Sequence, residues 1–102
     1  MPLQGAHGTF QVRPLPDLDT HALFLDDHLL AMHPNGYSCF NLAERIIAAW
    51  DGKRDAAYPL EQFDYILACG GVGPSRGTIE YFARGKVHAE DVDINTKSST
   101  AA

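Results

Sequence analysis

Alternation of apolar and polar residues predicts an antiparallel β-meander of about three strands in the first third of the chain. Phe10 and Val12 alternate with polar neighbours, which is typical of a short half-buried strand. Two later apolar runs flank Asp26 and Asp27, and aspartate suits a hairpin tip because it tolerates turn geometry. A helix over residues 20–32 is the alternative, since leucine and methionine are good helix formers. The pattern favours the hairpin.

Helical spacing replaces this alternation after a turn at residues 34–36. Asn41 is placed as the N-cap, Glu44 follows at the capping-box position, and Gly52 marks the stop. One face of the predicted helix is apolar and comprises Leu42, Ile46, Ile47 and Trp50. The sequence therefore predicts a helix from Asn41 to Asp51.

The segment FDYILACGGVGPSRGT, residues 63–78, has two interpretations. In the helical one, Pro59 opens a helix that ends at Gly70, and Pro74 opens a second helix that ends near Arg84. Two helices joined by a short glycine turn have a helix-turn-helix shape. This interpretation leads to a DNA-binding regulator that uses residues 59–86.

In the other interpretation, Tyr65 to Cys69 is a short buried strand that leads into the loop GGVGPSRG, residues 70–77. Bare glycine backbone allows an anion to approach closely, and the N-terminus of a following helix carries partial positive charge. This interpretation predicts anion or nucleotide-phosphate binding. Its candidate residues are Gly70, Gly71, Gly73, Ser75 and Arg76.

These elements together predict one small α+β domain over residues 1–102, with the meander packed against two or three helices. Residues 1–8 show no pattern and are expected to be disordered, as is the polar tail at residues 95–102.

Composition narrows the class of protein. At 45% apolar and 21% charged residues, the 102-residue chain is typical of globular proteins, and its apolar runs are too short to span a membrane. The start of the chain has neither the basic residues nor the apolar stretch of an export signal, so a cytoplasmic location is expected. The net charge of −5 disfavours nonspecific DNA binding, although Arg76, Arg84 and Lys86 outweigh Glu80 within one short segment.

Cysteines and histidines give no catalytic or metal site. Cys39 and Cys69 are expected to be buried, reduced thiols, although the predicted helix dipole could lower the pKa of Cys39. None of the five histidines is paired at helical i,i+4 spacing. No catalytic residue, metal or cofactor is predicted.

Two glycine-segment resemblances bear on function. VGPSRGTIEYFARGK resembles the turn and recognition helix of small bacterial repressors, with two extra residues between Val72 and Ile79. That resemblance implies DNA contacts by Ser75, Arg76, Thr78 and Arg84, and Lys86 ends the same positive segment. FDYILACGGVGPS is similar to the molybdopterin-binding domains of molybdenum-cofactor biosynthesis, which implies that Gly70, Gly71, Gly73 and Ser75 line a pterin phosphate. Gly77 and Thr78 stand where that family has an acidic pair.

ALFLDDHLLAMHPNG also looks like the strand pair that opens many pseudouridine synthases, without the catalytic aspartate motif of that family. Since no acid, base and nucleophile converge, the first hypothesis is a noncatalytic cytoplasmic accessory protein that binds another protein and forms a homodimer. Tyr58 and Tyr81 are its candidate interface residues. DNA binding and phosphate binding are the alternatives.

Overall fold

The computed structural model describes residues 2–86, in which a four-stranded antiparallel sheet precedes three helices. The elements are β1 (Pro2–Gly5), β2 (Gly8–Leu15), β3 (Thr20–Leu25), β4 (His28–His33), α1 (Gly36–Trp50), α2 (Ala57–Ala68) and α3 (Arg76–Ala83). A short 3₁₀ turn, Pro16–Leu18, joins β2 to β3. The strands neighbour each other in chain order. The predicted α+β domain is confirmed, with four strands instead of about three.

The additional strand is β1, which lies within the residues 1–8 that were expected to be disordered. Leu3 pairs with Phe10 on β2, and its side chain packs against the core. Backbone pairing and apolar burial therefore order a segment too short to show a pattern. The predicted disordered tail at 95–102 lies outside the described residues, and within residues 2–86 no helix is long and apolar enough to cross a membrane.

The hairpin prediction is confirmed, and the alternative helix over residues 20–32 is wrong. Asp26 and Asp27 connect β3 to β4, and Asp26 adopts a left-handed φ of 52°. The Asp26 carboxylate accepts the Thr9 backbone N–H at 3.2 Å, while the Asp26 N–H donates to the Thr9 carbonyl at 2.8 Å. The hairpin tip is thereby tied to β2.

Helix α1 begins earlier than predicted. Its N-cap is Asn35, whose side-chain oxygen accepts the Tyr37 N–H at 2.9 Å, so Asn41 lies inside the helix and the predicted start is wrong. Asn35 has the extended backbone that capping requires, and the residues up to Asn41 are compatible with a helix. The predicted stop is confirmed at Gly52, with a φ of +75°.

Residues 63–68 form the end of α2, so the strand interpretation is wrong. Phe63 and Ile66 are fully buried while Tyr65 is exposed, which is helical spacing rather than strand alternation. Helix α3 then begins after Ser75, whose hydroxyl accepts the Thr78 N–H at 3.1 Å. The helical pair of the sequence interpretation is confirmed.

All three helices contribute to the core on one face of the sheet, to which Phe10, Leu23 and Leu25 contribute from the strands. A bulge in the β3–β4 pairing leaves one extra residue on β4, and both Leu30 and Ala31 are fully buried there. The alternate side chains of β2, β3 and β4 lie on the opposite face of the sheet. We call it the open face.

Candidate functional site

The glycine loop between α2 and α3 packs against the edge of β4. Val72 and Met32 exchange two backbone hydrogen bonds, of 2.7 and 3.0 Å. A Cβ on Gly71 would lie 2.6 Å from the Met32 carbonyl oxygen, and one on Gly73 would lie 2.7 Å from the Leu30 carbonyl oxygen. Gly71 and Gly73 are therefore explained by the close approach of two backbones.

Three backbone N–H groups at the start of this loop are already used within the chain. Gly70 donates to Leu67 at 3.1 Å, Gly71 donates to Ile66 at 2.8 Å, and Val72 donates to Met32. Anion binding in such a loop depends on free backbone N–H groups that converge on one point. The N–H groups of Gly70, Gly71 and Val72 are thus unavailable to a phosphate.

The other phosphate candidates are also engaged within the chain. Ser75 caps α3 and shares a 2.9 Å hydrogen bond with the Thr78 hydroxyl. Arg76 donates from Nε to the Asp64 carboxylate at 3.0 Å, and this hydrogen bond raises the pKa of the guanidinium. Both side chains hold α3 in place.

The predicted DNA contacts are paired with acidic or aromatic partners. Arg84 lies 2.7 Å from the Glu80 carboxylate, and the Lys86 ammonium is 5.4 Å from the centroid of the Tyr81 ring. Thr78 is buried. Since the carboxylates of Asp64 and Glu80 offset both arginines, the positive charge expected along residues 76–86 is much reduced.

Of the predicted interface residues, Tyr58 and Tyr81 are both half-buried. The Tyr58 ring contacts two guanidinium groups, those of Arg45 at 4.3 Å and Arg54 at 3.7 Å from its centroid. Arg45 also donates to the Tyr58 carbonyl at 3.1 Å. These contacts fix the α1–α2 connection and leave little of the Tyr58 ring available to a partner.

The two thiols differ in environment. Cys39 is buried as predicted, and burial raises the pKa of its thiol more than a backbone hydrogen bond at His33 lowers it. Cys69 is exposed, so the prediction that it is buried is wrong. It ends α2, one helical turn after Tyr65, where its hydrogen bond raises the pKa of the tyrosine hydroxyl. Among residues 2–86, neither thiol is paired with a base that would activate it.

His33 is the one buried histidine among residues 2–86. Its Nδ1 accepts the Asn35 N–H at 3.0 Å, so this ring supports the start of α1, while Nε2 is buried with no hydrogen-bond partner in the described part of the chain. His21 lies opposite on β3 and its Nδ1 is 2.9 Å from the Pro34 carbonyl oxygen. Within the described residues, no three His, Cys, Asp or Glu side chains are placed to hold a metal ion.

Two surfaces remain as binding candidates. One is a cavity of about 370 Å³ between β2 and the start of α1, lined by Val12, Gly36, Tyr37 and Phe40. Its lining side chains are uncharged, so they do not indicate whether a ligand would be acidic or basic. The other surface lies on the open face of the sheet and combines apolar side chains with charges.

We call this second surface the apolar strip, and it comprises Leu18, Phe24, Leu29, Met32 and Val72. Phe24 is the cross-strand partner of Leu29, and Met32 is the partner of Val72, so each pair lies on one face. Ala22 pairs with Met32 across β3 and β4 and is fully buried beneath the strip. Three members are well exposed, with fractional exposures of 65% for Leu18, 50% for Val72 and 42% for Leu29.

Charged groups border the apolar strip. Asp19 follows Leu18 and lines a pocket of about 290 Å³ together with Leu18, Thr20, Met32, Pro34, Gly70, Gly71 and Val72. Asp26 and Asp27 form the hairpin tip at the other end of β3. Along the β2 side, the Arg13 guanidinium stacks 4.6 Å from the centroid of the Phe24 ring.

Sequence reasoning missed the apolar strip, although one signal was present. The runs HALFL and HLLAMH are apolar at consecutive positions, whereas a sheet with one solvated face alternates apolar and polar residues. No protein-family model matches the chain, and neither a curated protein nor a solved structure matches it.

Proposed function

We propose that the protein is a small noncatalytic accessory protein of the cytoplasm that binds another protein through the apolar strip. The observation that carries the proposal is the exposure of Leu18, Leu29 and Val72 side by side with Phe24 and Met32 on the open sheet face. Contiguous apolar patches mark interaction sites, since burying them against a partner gives about 25 cal/mol per Å².

The backbone beneath the strip supports the proposal because it is held in place before any partner arrives. Phe24 and Leu29 lie on paired strands, and Val72 is fixed by its two hydrogen bonds to Met32. A surface ordered in advance loses little conformational entropy on binding. An apolar segment can therefore bind the strip without first ordering its backbone.

The cysteines agree with the other parts of the proposal. Both Cys39 and Cys69 are free thiols, as is usual in a reducing compartment. The raised pKa of Cys39 keeps its thiol protonated, which is the opposite of what a cysteine nucleophile requires.

A site-specific crosslinking experiment tests the proposal. A photoreactive amino acid is placed at Leu29 in one variant and, as a control, at the exposed Tyr65 on α2 in another. We expect one partner protein to be crosslinked from position 29 and not from position 65. The purified partner should bind the Leu29→Asp variant at least about tenfold more weakly than the wild-type protein.

The corresponding Tyr65→Asp variant should bind with unchanged affinity, and circular dichroism should show that both variants are folded. Equal crosslinking from the two positions, or unchanged affinity of a folded Leu29→Asp variant, would contradict binding through the apolar strip.

A further inference from the structure

We propose that the segment bound by the apolar strip has an apolar centre with basic residues at both of its ends. This inference rests on the proposed function and adds the chemistry of the partner. It follows from the places of three exposed acidic residues: Asp19 directly precedes β3, and Asp26 and Asp27 directly follow it. The strip runs along the β3–β4 hairpin, so acidic residues lie at both of its ends.

The length of β3, which separates these acidic residues, sets the length of the partner segment. Strand β3 has six residues, which corresponds to about 20 Å between the acidic ends. An extended segment of about six residues spans this distance, as does a helix of about 13 residues. A partner that places lysine or arginine at that separation can pair with both ends while its apolar side chains cover Phe24 and Leu29.

The pocket at the Asp19 end fits a basic side chain. Leu18, Met32 and Val72 line it, and the acidic residue Asp19 lines it as well. Lysine and arginine bury an apolar stem while keeping a charged head near a carboxylate. The pocket therefore favours the cationic end of such a segment over an acidic or a purely apolar one.

A second copy of the chain is the less favourable occupant. In a face-to-face pair with the strips aligned, the acidic ends of one copy meet the acidic ends of the other, in a chain whose net charge is −5. Arg13, the cation beside the strip, pairs with Ala22 in the middle of β3 and stacks on Phe24, so it does not offset the acidic residues at the two ends. Charge complementarity thus points to a basic partner.

Synthetic peptides of one shared apolar helical centre, about 14 residues long, provide the probe. They differ only at their ends, which carry lysine, glutamine or glutamate. We expect the lysine-ended peptide to bind the wild-type protein about tenfold more tightly than the glutamate-ended one at low salt, with the difference disappearing at high salt. Substituting Asp19→Asn, Asp26→Asn and Asp27→Asn together should remove it as well, since asparagine tolerates the left-handed backbone of Asp19 and Asp26.

A control variant with Glu44→Gln, Asp51→Asn and Glu61→Gln makes the same change in net charge away from the strip and should preserve the preference. Equal binding of all three peptides, abolished by Leu29→Asp, would overturn the inference about charge and leave the proposed function standing. A loss of preference in both triple variants would also overturn it, since it would show a net-charge effect. Peptide binding that Leu29→Asp does not weaken would overturn both proposals. Both would also be overturned if the wild-type protein binds none of the peptides and sediments as a stable dimer that Leu29→Asp dissociates.

Discussion

Met32 and Val72 exchange two backbone hydrogen bonds, and this short pairing holds the loop between α2 and α3 against the edge of the sheet. The pairing brings the loop so close to β4 that Gly71 and Gly73 have no room for a side chain. It also places Val72 beside Met32 on the open face. One backbone contact therefore explains both the glycine-rich sequence and one end of the apolar strip.

Glycine-to-alanine substitutions test this explanation. Gly71→Ala should lower the free energy of unfolding by about 1–3 kcal/mol, because the new methyl group would lie 2.6 Å from backbone oxygen. Gly77→Ala is the matched control: the nearest atom is 3.9 Å away and the residue lies in α3, so stability should rise by about 0.5 kcal/mol. Urea unfolding measures both. Unchanged stability of Gly71→Ala would contradict the close backbone approach as the reason for this glycine.

The sequence alone does not distinguish a helix from a strand at residues 63–68, for a physical reason. A short apolar run is compatible with a buried helix and with a buried strand, and the outcome depends on which of its side chains pack in the core. Here Phe63 and Ile66 are buried together, while Tyr65 and Leu67 face solvent. Elements with stronger local signals, such as the hairpin tip at Asp26, were predicted correctly.

The start of α1 gives a test of capping. Asn35→Ala should cost about 1 kcal/mol of stability, since it removes the acceptor for the Tyr37 N–H. Asn41→Ala, inside the helix, should change stability by only a few tenths of a kcal/mol, with a slight gain from helix propensity. Thermal unfolding of the two variants distinguishes the observed cap from the predicted one, and equal losses would contradict an N-cap at Asn35.

The two cysteines should react at very different rates. A thiol reagent should modify Cys69 in the native state and Cys39 only on unfolding, because Cys69 is exposed and Cys39 is fully buried. Cys69→Ser should abolish the fast phase and Cys39→Ser the slow one. Two fast phases in the wild-type protein would show that Cys39 is accessible.

The raised pKa of Cys39 also predicts a pH dependence. Its protonated thiol is the form favoured by folding, so the stability it supports is complete below the ordinary cysteine pKa of about 8.5 and is lost as pH rises further. Denaturation curves should therefore show a fall in stability at alkaline pH that is smaller in Cys39→Ala. An equal fall in both proteins would contradict this assignment.

Local patterns indicate only the part of the candidate site that lies on β3 and β4, because its residues come from four separate segments. Leu18 lies in a turn, Phe24 and Met32 lie on different strands, and Val72 lies in the glycine loop. Only strand register and the Met32–Val72 pairing bring them together. Tyr58 and Tyr81 were chosen as interface residues by residue type, but their rings contact cations of the same chain.

Trp50 links α1 to the end of α3, and this link gives a further prediction. Its indole Nε1 donates to the Phe82 carbonyl at 2.7 Å, and its ring packs against Phe10 with centroids 5.2 Å apart. Trp50→Phe keeps most of the apolar contact and removes the donor, so it should cost about 1–2 kcal/mol and leave the end of α3 less protected from hydrogen exchange. Tyr37→Phe, at a side chain that is mostly exposed, should change neither quantity. If exchange at Arg84 and Gly85 is the same in Trp50→Phe as in the wild-type protein, the indole hydrogen bond does not hold the end of α3.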